Sequence, residues 1–388
     1  MEYYGIQRVE QLLALAFEKK ASDIHIEPFK HNARIRMRVD GILVTIDTIE
    51  EALLDQVIAR LKVLAGINVT QKRLAQDGKF IYTSNNKSVD IRLSSFPCVF
   101  GEKIVLRILD ASIALITIDS IGFENAMYAD IKHVLSMSGG FFIVTGPTGS
   151  GKTTTLYALL QALNNDSVNI MTLEDPVEYT LPGVTQTQIN NDIGFTFDVG
   201  MRAMLRQDPD IILIGEVRDS QTAKTAIEAA MTGHLVFTTM HTVDSLSAIV
   251  RLIEMGIEPY LIEASLNGVI AQRLARKLCN ACKIKAPVTE GQKAFLQKIG
   301  TLCDFVWQAK GCALCLDTGY NGRVGLFEYV AITQEIKERI LRSSGIKELR
   351  TLVKNKQISL FADVACKVIQ QGTTSVEECL RVVPLIDD

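Results

Sequence analysis

The run Gly146-Pro147-Thr148-Gly149-Ser150-Gly151-Lys152-Thr153 constrains this chain more than any other feature, because it fits the spacing GxxxxGK(S/T) behind the apolar stretch Phe141 to Val144. A buried strand that delivers the chain into such a turn lets glycine backbone N–H groups converge on phosphate oxygens. A helix expected from about Gly151 adds its positive dipole end. Lys152 is then placed to reach the β- and γ-phosphates, and Thr153, followed by Thr154, to offer a hydroxyl to Mg²⁺. An ordinary strand-to-helix turn is the alternative, and it does not call for these glycines together with a preceding strand and a following helical pattern. The loop implies that the chain binds a nucleoside triphosphate.

At 388 residues the chain is too long for one ordinary core, which favours two or three domains. Its net charge of -3 gives no bulk electrostatic reason to bind nucleic acid. No apolar run approaches the length of a membrane span, and Met1 is followed by Glu2 rather than by a basic and then apolar targeting stretch. A cytosolic protein is expected, held to a membrane only through a partner.

Apolar positions Val9, Leu12, Leu13, Ala16 and Phe17 predict a helix over 8–20, and the alternation at 23–27 predicts a strand. Strict alternation over 34–39, the turn pair Asp40-Gly41 and the return run Ile42 to Ile46 predict a hairpin. A helix over Leu53 to Leu64 and strands near 79–82, 88–94 and 103–109 complete a small α+β domain. Its strands carry Arg34, Arg36, Arg38, Arg92 and Arg107, which form either a solvated sheet face or a set of cations aimed at an anionic ligand. From about 141, strands and helices alternate as in a parallel sheet flanked by helices, so the fold class is α/β. Beyond about 331 the pattern is mostly helical.

The segment Asp208 to Glu216 places an apolar strand between acidic residues and looks like a Walker B element. Hydrolysis needs a carboxylate to orient water, which makes Glu216 the catalytic candidate. Gly215 stands where many phosphate-loop enzymes carry a metal-binding Asp, so metal coordination falls to Thr153 and to waters held by acidic residues. Glu174, Asp175 and Glu178 form a second acidic cluster, read either as a solvated loop or as part of the site at the carboxyl ends of the strands. His234 and His241 bracket the strand Leu235 to Met240, and either contact phosphate or are residues of no chemical consequence.

Eight cysteines in a chain of this size suggest metal ligands or plain thiols rather than a disulfide framework. Cys279 and Cys282 form one CxxC pair, Cys312 and Cys315 another, and 29 residues separate them. Two such pairs complete a closed, structural Cys₄ zinc site. The separation exceeds that of compact zinc ribbons, and reduced thiols or a redox pair are the alternatives.

Taken together, KASDIHIEP, QDGK, TGPTGSGKTTTLY, LEDPVE, LRQDPDIILIGEVRD and TGHLVFTTMHT resemble the motifs of the type II secretion and type IV pilus assembly ATPases, over nearly the whole chain. The resemblance implies a homohexamer of RecA-like domains, each joined by a linker to a smaller PAS-like domain, with ATP between the two. It implies boundaries at 1–110 for the small domain, 111–124 for the linker and 125–388 for the ATPase domain. Within the last fall a tetracysteine zinc subdomain at 273–330 and a helical region at 331–388. Arg92 and Arg107 match the small-domain arginines that reach the phosphates, and Arg202 and Arg218 match further motif positions that contact nucleotide or a neighbouring subunit. His234 and His241 fall in the family's histidine box, and Glu174, Asp175 and Glu178 in its aspartate box, with Glu178 a further catalytic candidate. The family's zinc subdomain belongs to the assembly and secretion branches and is generally missing from the retraction branch.

The resemblance further implies an inner-membrane platform protein as partner, with a recruiting protein on the cytoplasmic face, and no nucleic acid. A retraction motor is the nearest alternative. A nucleotide-sensing scaffold with little turnover is another, motivated by Gly215, and a nucleic-acid translocase a third, which no basic or aromatic-interleaved stretch supports. Many members carry an additional N-terminal domain, whereas this chain starts almost at the small domain.

Overall fold

A computed structural model describes residues 2–84, 87–109, 116–342, 345–355 and 358–384. The chain separates into two compact units, Met1–Ile113 and Ala114–Asp388.

The first unit runs α1 (Glu2–Glu18), β1 (Asp23–Pro28), β2 (Asn32–Val39), β3 (Ile42–Glu50), α2 (Glu51–Leu64), β4 (Gln76–Ser84), β5 (Lys87–Cys98) and β6 (Gly101–Leu109). The strands form one antiparallel sheet in the order β3-β2-β1-β6-β5-β4. Alternation decides what faces what. Ile24, Ile26, Ile35, Met37, Ile91, Leu93, Ile104 and Leu106 are buried in one core with Val9, Leu12, Leu13, Val57, Ile58 and Leu61 of the two helices. The opposite face carries the arginines. Asp40 (φ 49°) and Gly41 (φ 84°) both take positive φ, which is the twist a two-residue hairpin turn requires.

One charge sits inside this core. The Lys62 side chain is fully buried, with Nζ 2.5 Å from Glu102 and 2.7 Å from the Gln71 carbonyl, while Ser95 Oγ donates to Glu102 at 2.7 Å. A lysine on the apolar stripe of α2 is tolerated because every partner it needs is supplied locally.

In the second unit, five parallel neighbours of a seven-stranded sheet follow one another as β7 (Gly140–Thr145), β11 (Leu235–Met240), β10 (Ile211–Ile214), β8 (Ile170–Glu174) and β9 (Thr185–Gln188). On the far side of β7 lies β12 (Leu266–Leu278), parallel to it, and then β15 (Tyr320–Ala331), antiparallel to β12. Every residue of β7, β10 and β11 is buried, as strands covered on both faces must be. Phe141 and Ile143 enter one core with α5 (Phe197–Met204), α6 (Ser220–Met231), α7 (Ser245–Glu254) and α8 (Pro259–Ser265). Phe142 and Val144 enter another with α3 (Asn125–Leu135) and α4 (Lys152–Leu163).

Residues 110–115 of the expected connector lie outside the described residues. Its later part belongs to the second unit, since Ile118 is buried in that core and the Phe123 ring meets Phe327 edge-on at 4.7 Å. Between β12 and β15 the chain forms a small excursion of β13 (Ile284–Pro287), α9 (Glu290–Lys298) and β14 (Phe305–Gln308). After β15 come α10 (Gln334–Leu341), α11 (Ile346–Asn355), α12 (Phe361–Gln370) and α13 (Val376–Val382). Among the described residues no helix is long and apolar enough to cross a membrane.

Removing one partner of a buried ion pair costs more than removing both. Glu102→Ala should therefore lower stability by about 3–5 kcal/mol in chemical denaturation, and the pair Lys62→Met with Glu102→Leu by much less. Equal losses in the two proteins would contradict this account of the pair.

Candidate functional site

The phosphate loop leaves the carboxyl end of β7 between β11 and β12. Gly146 has φ 150°, and a Cβ there would meet the Gln272 carbonyl at 2.4 Å and Ser150 Oγ at 2.7 Å, so the backbone path admits glycine alone. Gly149 (φ 77°) and Gly151 (φ 88°) are left-handed, and Gly151 caps α4. Pro147 and Thr148 stand exposed at the rim. Lys152 is nearly buried and donates to the carbonyls of Gly146 (2.8 Å) and Pro147 (3.1 Å). Burial pulls its ammonium down to about 8, with Arg273 adding to the fall and Glu216 opposing it. Among the described residues, Ser150 Oγ is buried without a hydrogen-bond partner. A loop of open N–H groups, an orphaned hydroxyl and a desolvated cation fits a phosphate group. Thr153 and Thr154 follow, half-buried, in the first turn of α4.

Two strands away, β10 delivers Glu216 to the same edge of the sheet. Its carboxylate is 12% exposed and stands between the Arg218 guanidinium, which holds one oxygen, and His241 Nε2, 3.6 Å from the other. Burial lowers the His241 pKa, Lys152 and Arg218 lower it further, and Glu216 resists, so the imidazole is neutral near pH 7. Such a carboxylate can hold a water, and a neutral histidine beside it can accept or donate one hydrogen bond.

Gly215 has a packing reason. A Cβ there would lie 3.3 Å from both Glu174 Cα and the Leu173 carbonyl, so an Asp at this position would press on the end of β8.

Residues not singled out in the sequence tie these parts together. Thr145 Oγ1 meets Thr242 Oγ1 at 2.8 Å and accepts from the Thr242 N–H at 2.9 Å, joining the phosphate loop to the segment after β11. Gln272 Oε1 accepts from Thr155 of α4 at 2.8 Å. Arg273 lies against Gly146 and donates to the carbonyls of Gln272 and Val243. Asp244 caps α7 and pairs with Arg350 of α11 at 2.7 Å. The available signal was a polar Gln272-Arg273 pair directly after the apolar run Val269 to Ala271.

The remaining candidates lie elsewhere. Both oxygens of the buried Glu174 are taken by protein donors, Thr172 (2.6 Å) and Gln186 (3.2 Å) on one and Tyr157 of α4 on the other, so Glu174 anchors α4 to β8. Asp175 and Glu178 are exposed on the loop beyond. Arg202 pairs with Asp198 one turn earlier on α5. His234 does not join Glu216 and Lys152. It precedes β11, about 20 Å from the carboxyl edge by strand length, and its Nδ1 bonds the Ala229 carbonyl at 2.9 Å. In the first unit Arg92 and Arg107 are direct cross-strand partners.

The four cysteines converge. Their Sγ atoms all lie within 4.8 Å of one another, with Cys279 to Cys312 at 4.0 Å, Cys282 to Cys315 at 3.9 Å and Cys312 to Cys315 at 3.7 Å. Tetrahedral Zn–S bonds of about 2.3 Å put sulfurs about 3.8 Å apart, so the set fits a zinc ion. Burial would raise the Cys315 pKa, but N–H donors from Cys312 and Gly319 outweigh it and favour the thiolate. The long gap between the pairs is explained by topology. Cys279 directly follows β12, Gly319 directly precedes β15, and the Cys279 N–H bonds the Gly319 carbonyl at 2.9 Å, so the intervening residues loop out and return.

The model of the family described as type II/IV secretion system protein matches residues 4–381. The chain is 41% identical to the type IV pilus assembly ATPase TfpB of Acinetobacter baylyi, covering 98% of this chain and 66% of that protein. It is 41% identical to type II secretion system protein E of Aeromonas hydrophila (97% and 75%) and to the type IV pilus assembly ATPase PilB of Thermus thermophilus (96% and 42%). Among solved structures, the Legionella pneumophila ATPase DotB superposes with a TM-score of 0.71 at 21% identity, over 96% of this chain and 94% of that one. The pilus retraction motor PilT with bound ADP gives 0.63 at 23%, over 96% and 95%. These two likenesses are of fold. With a family match across nearly its whole length and a phosphate loop at the carboxyl edge of its parallel sheet, the chain belongs to the type II/IV secretion system protein family.

Proposed function

We propose that this chain is a mechanochemical ATPase that drives type IV pilus assembly or type II secretion. The observation that carries the reading is the convergence of Lys152, Glu216 and His241 on one edge of the sheet, in a chain whose relatives at 41% identity are named for those two machines. A retraction motor is less well supported, because the likeness to PilT is one of fold.

Lys152 and the loop N–H groups hold the β- and γ-phosphates, and Thr153 supplies a hydroxyl to Mg²⁺. The metal offsets charge on the phosphate oxygens when bound. Glu216 orients the attacking water, and His241 contacts the γ-phosphate or registers its loss. Arg218, released from Glu216, is free to turn toward nucleotide or a neighbouring subunit, as is Arg202. Arg92 and Arg107 stabilise transition-state charge when the small domain closes, and opening after hydrolysis is the mechanical output. Glu178 and Asp175 lie on a loop that a neighbouring subunit or the metal's waters would meet, Glu174 fixes α4 from within, and His234 stands at the opposite edge of the sheet with its Nδ1 on the Ala229 carbonyl. The working form is a homohexamer at the cytoplasmic face of the inner membrane, docked on a platform protein. Cys279, Cys282, Cys312 and Cys315 hold a structural zinc ion.

Phosphate release by Lys152→Ala and Glu216→Gln should fall by about 100-fold or more against wild type. Normal release from either would sink the reading.

A phosphate beside Lys152 restores the charge that burial suppresses. Between about 8 in the free protein and the ordinary lysine value of about 10.4, the complex holds a proton that the free protein lacks. Binding therefore takes up a proton in that window and weakens as pH rises through it. Calorimetry at pH 8.5 in buffers of different ionisation enthalpy should record this uptake, and Lys152→Arg should abolish it.

Metal analysis should return about one zinc per chain, and Cys279→Ser should remove it and lower the unfolding temperature. Much less than one zinc in the wild-type protein would rule the site out.

A further inference from the structure

Strand β12 touches the phosphate loop at both of its ends. A Cβ at Gly146 would meet the Gln272 carbonyl at 2.4 Å and Arg273 Nη1 at 3.1 Å, and a Cβ at Gly151 would meet Gln272 Nε2 at 2.8 Å. Arg273 is 7% exposed. Its Nη1 donates to the Gln272 carbonyl at 3.0 Å and its Nη2 to the Val243 carbonyl. Gln272 is on β12 and Val243 follows shortly after β11, and these are the two strands that flank β7. Arg273 therefore bridges both neighbours of β7 across the root of the loop.

The charge on that bridge is not matched by an ion pair. Two carboxylates, Glu328 and Asp244, have fields that reach Arg273, and both are engaged elsewhere. Glu328 accepts from the N–H groups of Ser245 (3.0 Å) and Phe361 (3.1 Å) and from the Ser245 hydroxyl. Asp244 accepts from the Ser247 N–H at 2.7 Å and pairs with Arg350 at 2.7 Å. Among the described residues Arg273 makes no ion pair, and its Cζ stands 5.2 Å from the centroid of the Phe361 ring.

Joining two carbonyls does not require a charge, since the two N–H donors of a neutral side-chain amide can do the same. An arginine keeps its proton in every state of the protein, and burying that charge is unfavourable. It also works against the proton on Lys152. The loop beside it is suited to phosphate on independent grounds, its open N–H groups and the Ser150 hydroxyl, so the anion is not deduced from the cation. We infer that Arg273 is a positioning residue of the nucleotide site, whose fixed positive charge at the root of the loop strengthens the hold on the nucleotide's phosphates. The inference rests on the reading of the loop as a nucleotide site. A charge that stays in place acts on bound nucleotide and transition state alike, and uniform binding of that kind lowers KM and leaves kcat. A brace with no electrostatic role would act otherwise: its loss would let the loop spread and would lower kcat.

The test uses the full chain, with steady-state phosphate release and the affinity for a fluorescent ATP analogue. Arg273→Gln should raise KM and weaken analogue binding about tenfold, with kcat within about twofold of wild type. Arg273→Met, which occupies similar space beside Phe361 without charge, should do the same. Arg273→Lys should recover most of the affinity, and Phe361→Leu, which removes the ring and keeps the charge, should bind as wild type. Wild-type affinity in the neutral variants overturns the inference, as does an Arg273→Lys protein as weak as Arg273→Gln, or a fall in kcat with KM unchanged. If neither neutral variant folds, the residue is a structural staple and the inference is likewise overturned. Lys152→Ala separates the two readings. If it binds the analogue as wild type does, the nucleotide reading falls and takes the inference with it; if it fails while the neutral Arg273 variants bind normally, the inference alone falls.

Discussion

A buried lysine held by the carbonyls of its own loop is the constraint on which the rest of the second unit depends. Lys152 is desolvated before any ligand arrives, and its neighbours are arranged around that fact. Gly146 and Pro147 solvate its ammonium in place of water. Glu216 supplies a negative charge that favours it and Arg273 a positive one that does not. A cation so placed is stabilised more by an arriving phosphate than an exposed one would be, because the phosphate ends a desolvation penalty rather than exchanging one water shell for another. The same burial explains why the loop is braced on three sides, by Thr242, Gln272 and Arg273. A loop that could spread would let water reach the lysine.

Legibility in the sequence followed the range of the interaction. The phosphate loop was readable because its glycines answer local backbone demands at 146, 149 and 151. The hairpin at Asp40-Gly41 was readable for the same reason. Strands β3 to β6 run longer than alternation indicated, because charged and polar residues on the open face and small turns at the ends dilute the pattern. The face on which a strand's last side chain lies was not readable at all. Glu174 ends β8 at the carboxyl edge, as an acidic site residue would, yet its side chain points to Tyr157 and Gln186 within the fold. Gln272 and Arg273 went unnoticed because their partners, Thr155 and Val243, are far away in sequence and only the parallel pairing of β12 with β7 brings them together.

The departure at Gly215 changes meaning once the packing is known. In sequence it reads as a missing metal ligand and so as a motive for doubting turnover. In the structure the position is one of close approach between β10 and β8, where the Gly215 N–H bonds the Leu173 carbonyl at 2.7 Å and Thr239 Oγ1 bonds the Gly215 carbonyl at 2.6 Å. A side chain at this position would press on the end of β8, and Glu216, one residue on, is the carboxylate that stands between Arg218 and His241. A motif residue can therefore be absent for a reason of packing.

The cysteine cluster and the phosphate loop share a strand. β12 carries Gln272 and Arg273 beside the loop and delivers Cys279 to the cluster six residues later, about 20 Å along one continuous strand. Its partner β15 carries Glu328, which accepts from the Ser245 and Phe361 backbones, and begins just after Cys315. The outer ends of both strands are fastened twice, by the cysteines and by Glu378 of α13, which takes Arg276 at 2.7 Å. If the edge strand β15 frayed from β12 at that end, Arg276 of β12 would loosen first and then Arg273, and with Arg273 the contact to Gly146 and Val243. A metal held by the four cysteines would therefore bear on the phosphate loop through strand rigidity. It would need no chemical role of its own, because the distance is spanned by the backbone pairing of β12 with β15, whose register shifts between Arg276 and Leu278.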